Sequence, residues 1–122
     1  MMIDFNNIEE YRENNRIEAK KALGGFPNSM WETYSSFANT LGGVILLGVE
    51  EYKDHSLHAV DLPNRDEYVK IIFDTLKDVN KVSANILTEK DVQKVNFQGK
   101  RILAVTVPRA DRVDRPIYIG TD

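Results

Sequence analysis

Two segments of the chain carry apolar residues at helical spacing. Between about Ser29 and Thr40 an aromatic and aliphatic stripe recurs every three or four residues, which predicts a helix. Ser29 precedes Glu32 by three residues, the spacing of a capping box. A second apolar stripe from about Asn64 to Asn80 predicts another helix, which also begins at a capping residue.

Other segments have the patterns of strands. The run Val44 to Val49 is almost unbroken aliphatic sequence and predicts a strand buried on both faces. Gly42 just before it supplies the left-handed residue that ends a helix. Alternation from Arg16 to Lys21 predicts a first strand with one charged face. Val92 to Phe97 and Arg101 to Val107 flank a short turn with glycine and predict an antiparallel hairpin.

Weaker signals complete the order of elements. Residues 1–12 allow a short helix or arm, and residues 57–62 and 117–119 each allow a short strand. The chain of 122 residues has the size of one domain. We therefore expect a single domain over residues 1–122 in the α+β class, a two-layer fold with two helices packed on one mixed β-sheet.

Composition narrows the class of protein. The chain has no cysteine, which excludes disulfides, thiolate zinc sites and cysteine nucleophiles. Its beginning is acidic and polar, and no apolar run approaches the roughly 20 residues that span a bilayer, so we expect a cytoplasmic protein without a membrane partner. The net charge of −3 argues against sequence-blind electrostatic binding of nucleic acid but leaves room for a local basic face.

The Gly42-Gly43 pair is the first candidate site. A phosphate-binding loop needs a strand, then glycines, then the N-terminus of a helix, because the helix amides must point at the anion. Here a helix precedes the glycines and a strand follows them, and no Lys-Ser/Thr pair is present there. The pair is therefore interpreted as a helix stop, and ATP binding is not supported.

Four carboxylates are a second candidate. Glu13 and Glu18 flank the start of the first predicted strand, and Glu50 and Glu51 end the aliphatic strand. If the two strands are neighbours, these side chains would share one edge and hold Mg²⁺ or Mn²⁺ for phosphodiester cleavage. The alternative is that they are solvated strand ends, with Glu18 paired to Arg16 or Lys20, and spacing alone favours this alternative.

Histidine and basic residues are further candidates for ligand contacts. His55 and His58 lie in a polar turn without further metal ligands of suitable type nearby, which is typical of surface residues. Basic side chains on the first strand and in the C-terminal loop are suited to phosphate contacts, although such a loop is more often a solvated connection. These candidate nucleic-acid contacts are Arg16, Lys20, Arg109, Arg112 and Arg115.

Three segments together resemble a known family. The sequences RIEAKKA at 16–22, FANTLGGVILLGVEE at 37–51 and RPIYI at 115–119 resemble the Schlafen-type AlbA domain. This is a bacterial DNA-binding module found at the N-terminus of transcriptional regulators and of RecG-related helicase-like proteins. The resemblance implies an Alba-like fold and a DNA or RNA partner. Our first hypothesis is therefore a nucleic-acid-binding module without catalysis by this domain alone. The resemblance also suggests an N-terminal fragment of a longer protein, since the pattern in relatives continues beyond RPIYI.

The resemblance also implies an alternative function. Animal relatives with the Schlafen core cleave structured RNA with an acidic triad, and two of its members match Glu13 and Glu18. The third falls at Glu50 or Glu51, where the family has an aspartate followed by a glycine-containing turn. This alternative is a metal-dependent endoribonuclease with Mg²⁺ or Mn²⁺ as cofactor. A second alternative is an interaction module that forms a homodimer through a sheet edge or the hairpin.

Overall fold

A mixed sheet, a small second sheet and three helices make up the fold. The computed structural model describes residues 3–120. The helices are α1 (Ile8–Asn14), α2 (Met30–Ala38) and α3 (Arg65–Leu76), and short 3₁₀ turns occur at Phe5–Asn7, Glu89–Asp91 and Arg112–Asp114. The strands are β1 (Ile17–Lys20), β2 (Gly43–Leu47), β3 (Val49–Glu51), β4 (Leu57–Ala59), β5 (Val92–Phe97) and β6 (Lys100–Val107).

The main sheet has the strand order β1-β2-β6-β5. Strand β1 runs parallel to β2, whereas β6 is antiparallel to both β2 and β5. Strands β3 and β4 form a separate antiparallel pair. The predicted α+β class, with a mixed sheet and a C-terminal hairpin, is confirmed.

Both faces of β2 are buried, as its aliphatic sequence requires. Ile45 and Leu47 pack in the cluster that contains the apolar residues of α2 and α3. Val44 and Leu46 point to the opposite face and pack with Ile8 of α1 and with the small sheet. The two predicted helices thus cover one face, and the structure adds a short helix and a second sheet on the other.

Gly48 divides the predicted strand 44–49 into two. Its φ of +91° lies in the left-handed region, and a Cβ there would be 3.1 Å from the Cβ of Leu62. Its N–H donates to the carbonyl of Lys20 at 2.8 Å, and its own carbonyl accepts from the N–H of Val60 at 2.9 Å. Strand β2 therefore ends at Leu47, and the chain turns into the second sheet.

The glycine stop of α2 is confirmed, but its capping box is not formed. Gly42 has φ +81°, and its N–H donates to the carbonyl of Phe37 at 2.8 Å. Ser29 makes no side-chain cap, because it has helical dihedral angles and its Oγ accepts from Lys20 Nζ at 3.1 Å. The capping box predicted from the spacing of Ser29 and Glu32 is therefore wrong.

Two elements are shorter in the structure than the sequence predicted. Helix α3 ends at Leu76, and Val79 beyond it is 73% exposed rather than part of the apolar face. The strand predicted at 117–119 is a single antiparallel bridge between Val82 and Ile119. Within the described chain, no helix combines the length and apolar character needed to cross a membrane.

Hydrogen bonds and an ion pair between Asp61 and Arg101 join the segment after β4 to the hairpin. Asp61 Oδ1 accepts from the backbone N–H of Arg101 at 2.8 Å and from its Nε at 3.0 Å, and Oδ2 accepts from Nη2 at 2.7 Å. These hydrogen bonds hold the pKa of Asp61 well below its usual range, and the bonds from the guanidinium of Arg101 contribute most. The ionised carboxylate is thus the form that the folded state favours.

Asp61→Asn is expected to lower stability at neutral pH. Because the folded-state pKa is depressed, the carboxylate contributes its full stabilisation above the ordinary aspartate pKa of about 4 and loses it as pH falls through the folded-state value. Urea unfolding from pH 7 to about pH 2 should show the difference between wild type and variant shrinking toward acid. Glu89→Gln, an exposed carboxylate without an ion pair in the described chain, is the control. Parallel stability curves for Asp61→Asn and wild type would refute the assignment.

Candidate nucleic-acid interface

Arg16 is held against the C-terminal end of α2. Its Cζ lies 4.6 Å from the centroid of the Phe37 ring, a cation–π contact. Its Nη1 donates to Thr40 Oγ1 at 2.8 Å, and that hydroxyl donates in turn to the carbonyl of Ser36 at 2.7 Å. The guanidinium is therefore oriented by neutral groups, while the residue itself stays exposed.

Gly43 makes room for the ring that supports Arg16. A Cβ at position 43 would lie 2.6 Å from two ring carbons of Phe37, closer than carbon atoms can approach without a shift. The absence of a side chain lets the ring pack directly on the first residue of β2. The second glycine of the pair is thus a packing site rather than part of a phosphate loop.

The arginine-rich loop is fastened to the same end of α2. The N–H of Ala110 donates to the carbonyl of Ala38 at 2.8 Å. Asn39 Oδ1 accepts from the N–H of Ile117 at 2.7 Å, and its Nδ2 donates to the carbonyl of Ile117 at 3.1 Å. Ser35 Oγ also donates to that carbonyl, at 2.7 Å. Both ends of the loop are thereby fixed to the last turn of the helix.

Gly42 brings the beginning of this loop close to the helix end. A Cβ on Gly42 would lie 2.7 Å from the carbonyl oxygen of Val107 and 3.2 Å from the backbone nitrogen of Arg109. The structure therefore places Arg16 and the start of the loop around one helix end. We call this surface the basic edge; it consists of Arg16, Arg109, Arg112 and Arg115.

Among the described residues, the basic candidates have no acidic partners. Within residues 3–120, none of the ion pairs includes any of the five predicted contacts, Arg16, Lys20, Arg109, Arg112 and Arg115. The loop aspartates Asp111 and Asp114 therefore do not neutralise the neighbouring arginines through direct pairs. Arg115 has a buried Nε without a hydrogen-bond partner in the described chain.

Lys20 lies apart from the basic edge. Its Nζ binds Ser29 Oγ at the beginning of α2, whereas Arg16 binds near the end of that helix. The two cations are four positions apart along an extended segment, which is about 13 Å at roughly 3.3 Å per residue. Glu18 lies between them on the same face and is exposed.

The carboxylate cluster of the nuclease alternative is not assembled. Glu18 pairs in register with Ile45 in the main sheet, whereas Glu50 and Glu51 belong to β3 in the second sheet. Glu13 is exposed near the end of α1. Within residues 3–120, no three side chains of the types His, Cys, Asp and Glu form a group suited to a metal ion. Cleavage activity and its Mg²⁺ or Mn²⁺ cofactor stay predictions.

The two glutamates of β3 lie close to basic side chains. Glu50 lies 3.9 Å from Lys21 Nζ. Glu51 Oε1 lies 3.1 Å from Arg12 Nη2, and its Oε2 lies 3.0 Å from His55 Nδ1. The expected pairing of Glu18 with Arg16 or Lys20 is not formed, since none of the ion pairs within residues 3–120 includes Glu18.

The two histidines make separate surface contacts. His55 faces Glu51, whereas His58 Nε2 lies 2.7 Å from Ser56 Oγ. The ring of His58 stacks on Tyr52 with a centroid distance of 3.6 Å. Neither histidine belongs to a group of three metal-ligand side chains in the described chain.

Asn39 is a positioning residue that sequence reasoning missed. Its amide joins segments 78 residues apart, a pairing that no local pattern reveals. Its position just after the last residue of α2 was the available signal, because asparagine often ends helices and bonds to backbone groups. Phe37 was identified only as part of the apolar stripe, yet it also carries the guanidinium of Arg16.

Comparison with known proteins gives a family and a fold. Residues 13–120 match the model of the family described as Schlafen, AlbA_2. The structure is similar to the N-terminal domain of a RecG-related protein from Nitrosomonas europaea, named after an ATP-dependent DNA helicase. The TM-score is 0.71 at 29% identity, over 96% of this chain and 78% of that chain.

A second solved structure shares the fold alone. The DIP2311 protein of Corynebacterium diphtheriae is similar with a TM-score of 0.59 at 20% identity, over 91% of this chain and 20% of that chain. No functionally curated protein matches the sequence significantly.

Gly43→Ala is expected to destabilise the protein by about 1 to 3 kcal/mol, because the new methyl group must displace the Phe37 ring. Gly24→Ala is the matched control, since a Cβ there meets nothing within 4 Å. Its effect should stay within about 0.5 kcal/mol. Urea unfolding of both variants provides the measurement, and equal free energies of unfolding would contradict the packing role of Gly43.

Proposed function

The chain belongs to the Schlafen AlbA_2 family, and we propose that it binds nucleic acid, DNA or RNA, through the basic edge. The four arginines of this edge contact backbone phosphates, and Lys20 adds a fifth contact at the other end of β1. The domain acts as the binding part of a transcriptional regulator or RecG-related helicase-like protein, without catalysis of its own. Its similarity to the N-terminal domain of a RecG-related protein supports this role.

The observation that carries the proposal is the placement of an oriented Arg16 and the fastened arginine loop at one helix end, without acidic partners for these cations in the described chain. Some other cations of the domain are paired, as Arg12 is with Glu51 and Arg101 is with Asp61, whereas others, such as Lys100, are not paired within the described chain. The arginines of the basic edge have no such pairs within the described chain. A phosphate would therefore meet them without first displacing a carboxylate, and its binding would release condensed counterions.

The geometry of Arg16 supports the proposal further. Contacts with Phe37 and Thr40 restrict its side chain without neutralising its charge. Less side-chain freedom is then lost when a phosphate binds, and guanidinium groups suit phosphate oxygens because they donate in a planar fork. The overall charge of −3 limits affinity, so we expect binding that is strongest at low salt.

Arg109→Gln should weaken binding to all sequences alike and reduce the slope of log affinity against log salt concentration by about 1. Arg109 is exposed and makes no side-chain hydrogen bond in the described chain, so the fold should be unaffected. Fluorescence anisotropy with a labelled oligonucleotide over a salt series measures both quantities.

Lys100→Gln is the matched control for Arg109→Gln. Lys100 is the first residue of β6, and Arg109 lies two residues beyond the end of that strand. At roughly 3.3 Å per strand residue, the two sites are about 25 Å apart. The same loss of charge at Lys100 should leave affinity nearly unchanged. Equal effects of the two variants would show non-specific attraction and remove the assignment to the basic edge.

Glu18→Gln should strengthen binding up to about fivefold, since one exposed charge contributes at most about 1 kcal/mol. The carboxylate lies between Arg16 and Lys20 on the same face of β1 and would repel a phosphate there. The same titration measures the change, with Glu32→Gln on α2 as the control. If Glu18→Gln instead abolished a Mn²⁺-dependent cleavage of transfer RNA, the nuclease alternative would replace this proposal.

A further inference from the structure

We propose that the basic edge takes an unpaired nucleotide, with its phosphate on Arg16 and its base in the adjoining cleft. The inference rests on the nucleic-acid binding proposed above and specifies the class of substrate. A single-stranded or extruded nucleotide fits this arrangement, whereas a base held in a duplex does not.

The cleft lies directly beside Arg16 and has a volume of about 390 Å³. One wall is the end of α1 with Asn14, and the second is the turn after α2 with Leu41. The third wall combines the end of β6 with Asp91 of the 3₁₀ turn before β5. Four separate parts of the chain thus surround a concave space next to an oriented guanidinium.

Apolar groups in the cleft can contact the faces of a base. Leu41 is 83% exposed, and Val107 and Pro108 line the same space. Leu41 follows a helix end and precedes Gly42, so its exposure is fixed by the turn rather than by a loose segment. An aromatic base placed there would cover apolar surface that otherwise faces water.

Polar groups in the cleft can contact the edge of a base. Asp91 Oδ2 accepts from the N–H and Oγ1 of Thr88, which leaves Oδ1 without a hydrogen bond in the described chain. Asn14 and Thr106 line the same space and make no side-chain hydrogen bond within residues 3–120. A carboxylate, an amide and a hydroxyl together provide acceptors for exocyclic amino groups and donors for ring nitrogens and carbonyls.

The size and shape of the cleft favour one nucleotide. Its volume is near the lower limit of small-molecule sites, which is roughly 300 Å³. Paired bases present only their groove edges, so their faces and pairing edges are inaccessible to the cleft. An unpaired nucleotide exposes its faces and its pairing edge, and it can place its phosphate on Arg16, which lines the cleft.

Binding of a labelled 12-nucleotide single strand and of the duplex of the same sequence tests the inference. We expect the single strand to bind about tenfold more tightly at equal salt. Leu41→Ser and Asn14→Ala should each weaken single-strand binding about tenfold and leave duplex binding unchanged. The controls are Val79→Ser, which replaces another exposed apolar residue, and Asn28→Ala in the turn before α2.

Amide chemical shifts locate the base. Cytidine 5′-monophosphate should shift the amides of Gly42, Gly43 and Thr106, whereas inorganic phosphate should shift only those around Arg16 and Thr40. Identical shift patterns for the two ligands would overturn the base site.

The outcomes separate the two proposals. Equal affinity for single strand and duplex, with Leu41→Ser and Asn14→Ala silent and Arg109→Gln still weakening binding, would overturn the cleft and leave the basic edge intact. No binding of either oligonucleotide at low salt would overturn both.

Discussion

Strand β2 has no polar side chain, so both faces of the sheet at its centre must be covered. Helices α2 and α3 cover one face, and α1 with the small sheet covers the other. The glycines that flank the aliphatic run make this possible. Gly43 admits the Phe37 ring to the backbone, and Gly48 turns the chain into the second sheet. The packing of this one strand therefore places the helix end on which the basic edge is built.

The basic edge is held by neutral contacts. Phe37 and Thr40 orient Arg16, and Asn39 fastens the end of the loop through backbone hydrogen bonds. The arginine charges thus remain unpaired within the described chain, although the protein as a whole is acidic. Net charge describes the average surface, whereas a phosphate responds to the local arrangement within about one Debye length, roughly 10 Å.

Local chemistry made several elements predictable. The stripe of α2, the stop at Gly42 and the hairpin of β5 and β6 follow from periodicity and turn residues, and the structure confirms them. The failures also have local causes. Ser29 has the capping spacing but binds Lys20 instead, and Gly48 breaks a run that looks continuous because its aliphatic neighbours hide its left-handed backbone. Residue propensities do not show which partner the side chain of Ser29 binds, or which backbone conformation Gly48 adopts.

The sequence by itself determined the α+β class, the buried central strand and the family resemblance, because these depend on periodicity and on residues close together in the chain. Only the tertiary structure decided which candidate residues meet. It joins Arg16 to Thr40 and Asn39 to Ile117, and it leaves Glu18 in a different sheet from Glu50. Such contacts depend on strand register and on close backbone approach at glycines, which are set by packing between distant segments and leave no periodic pattern in the sequence.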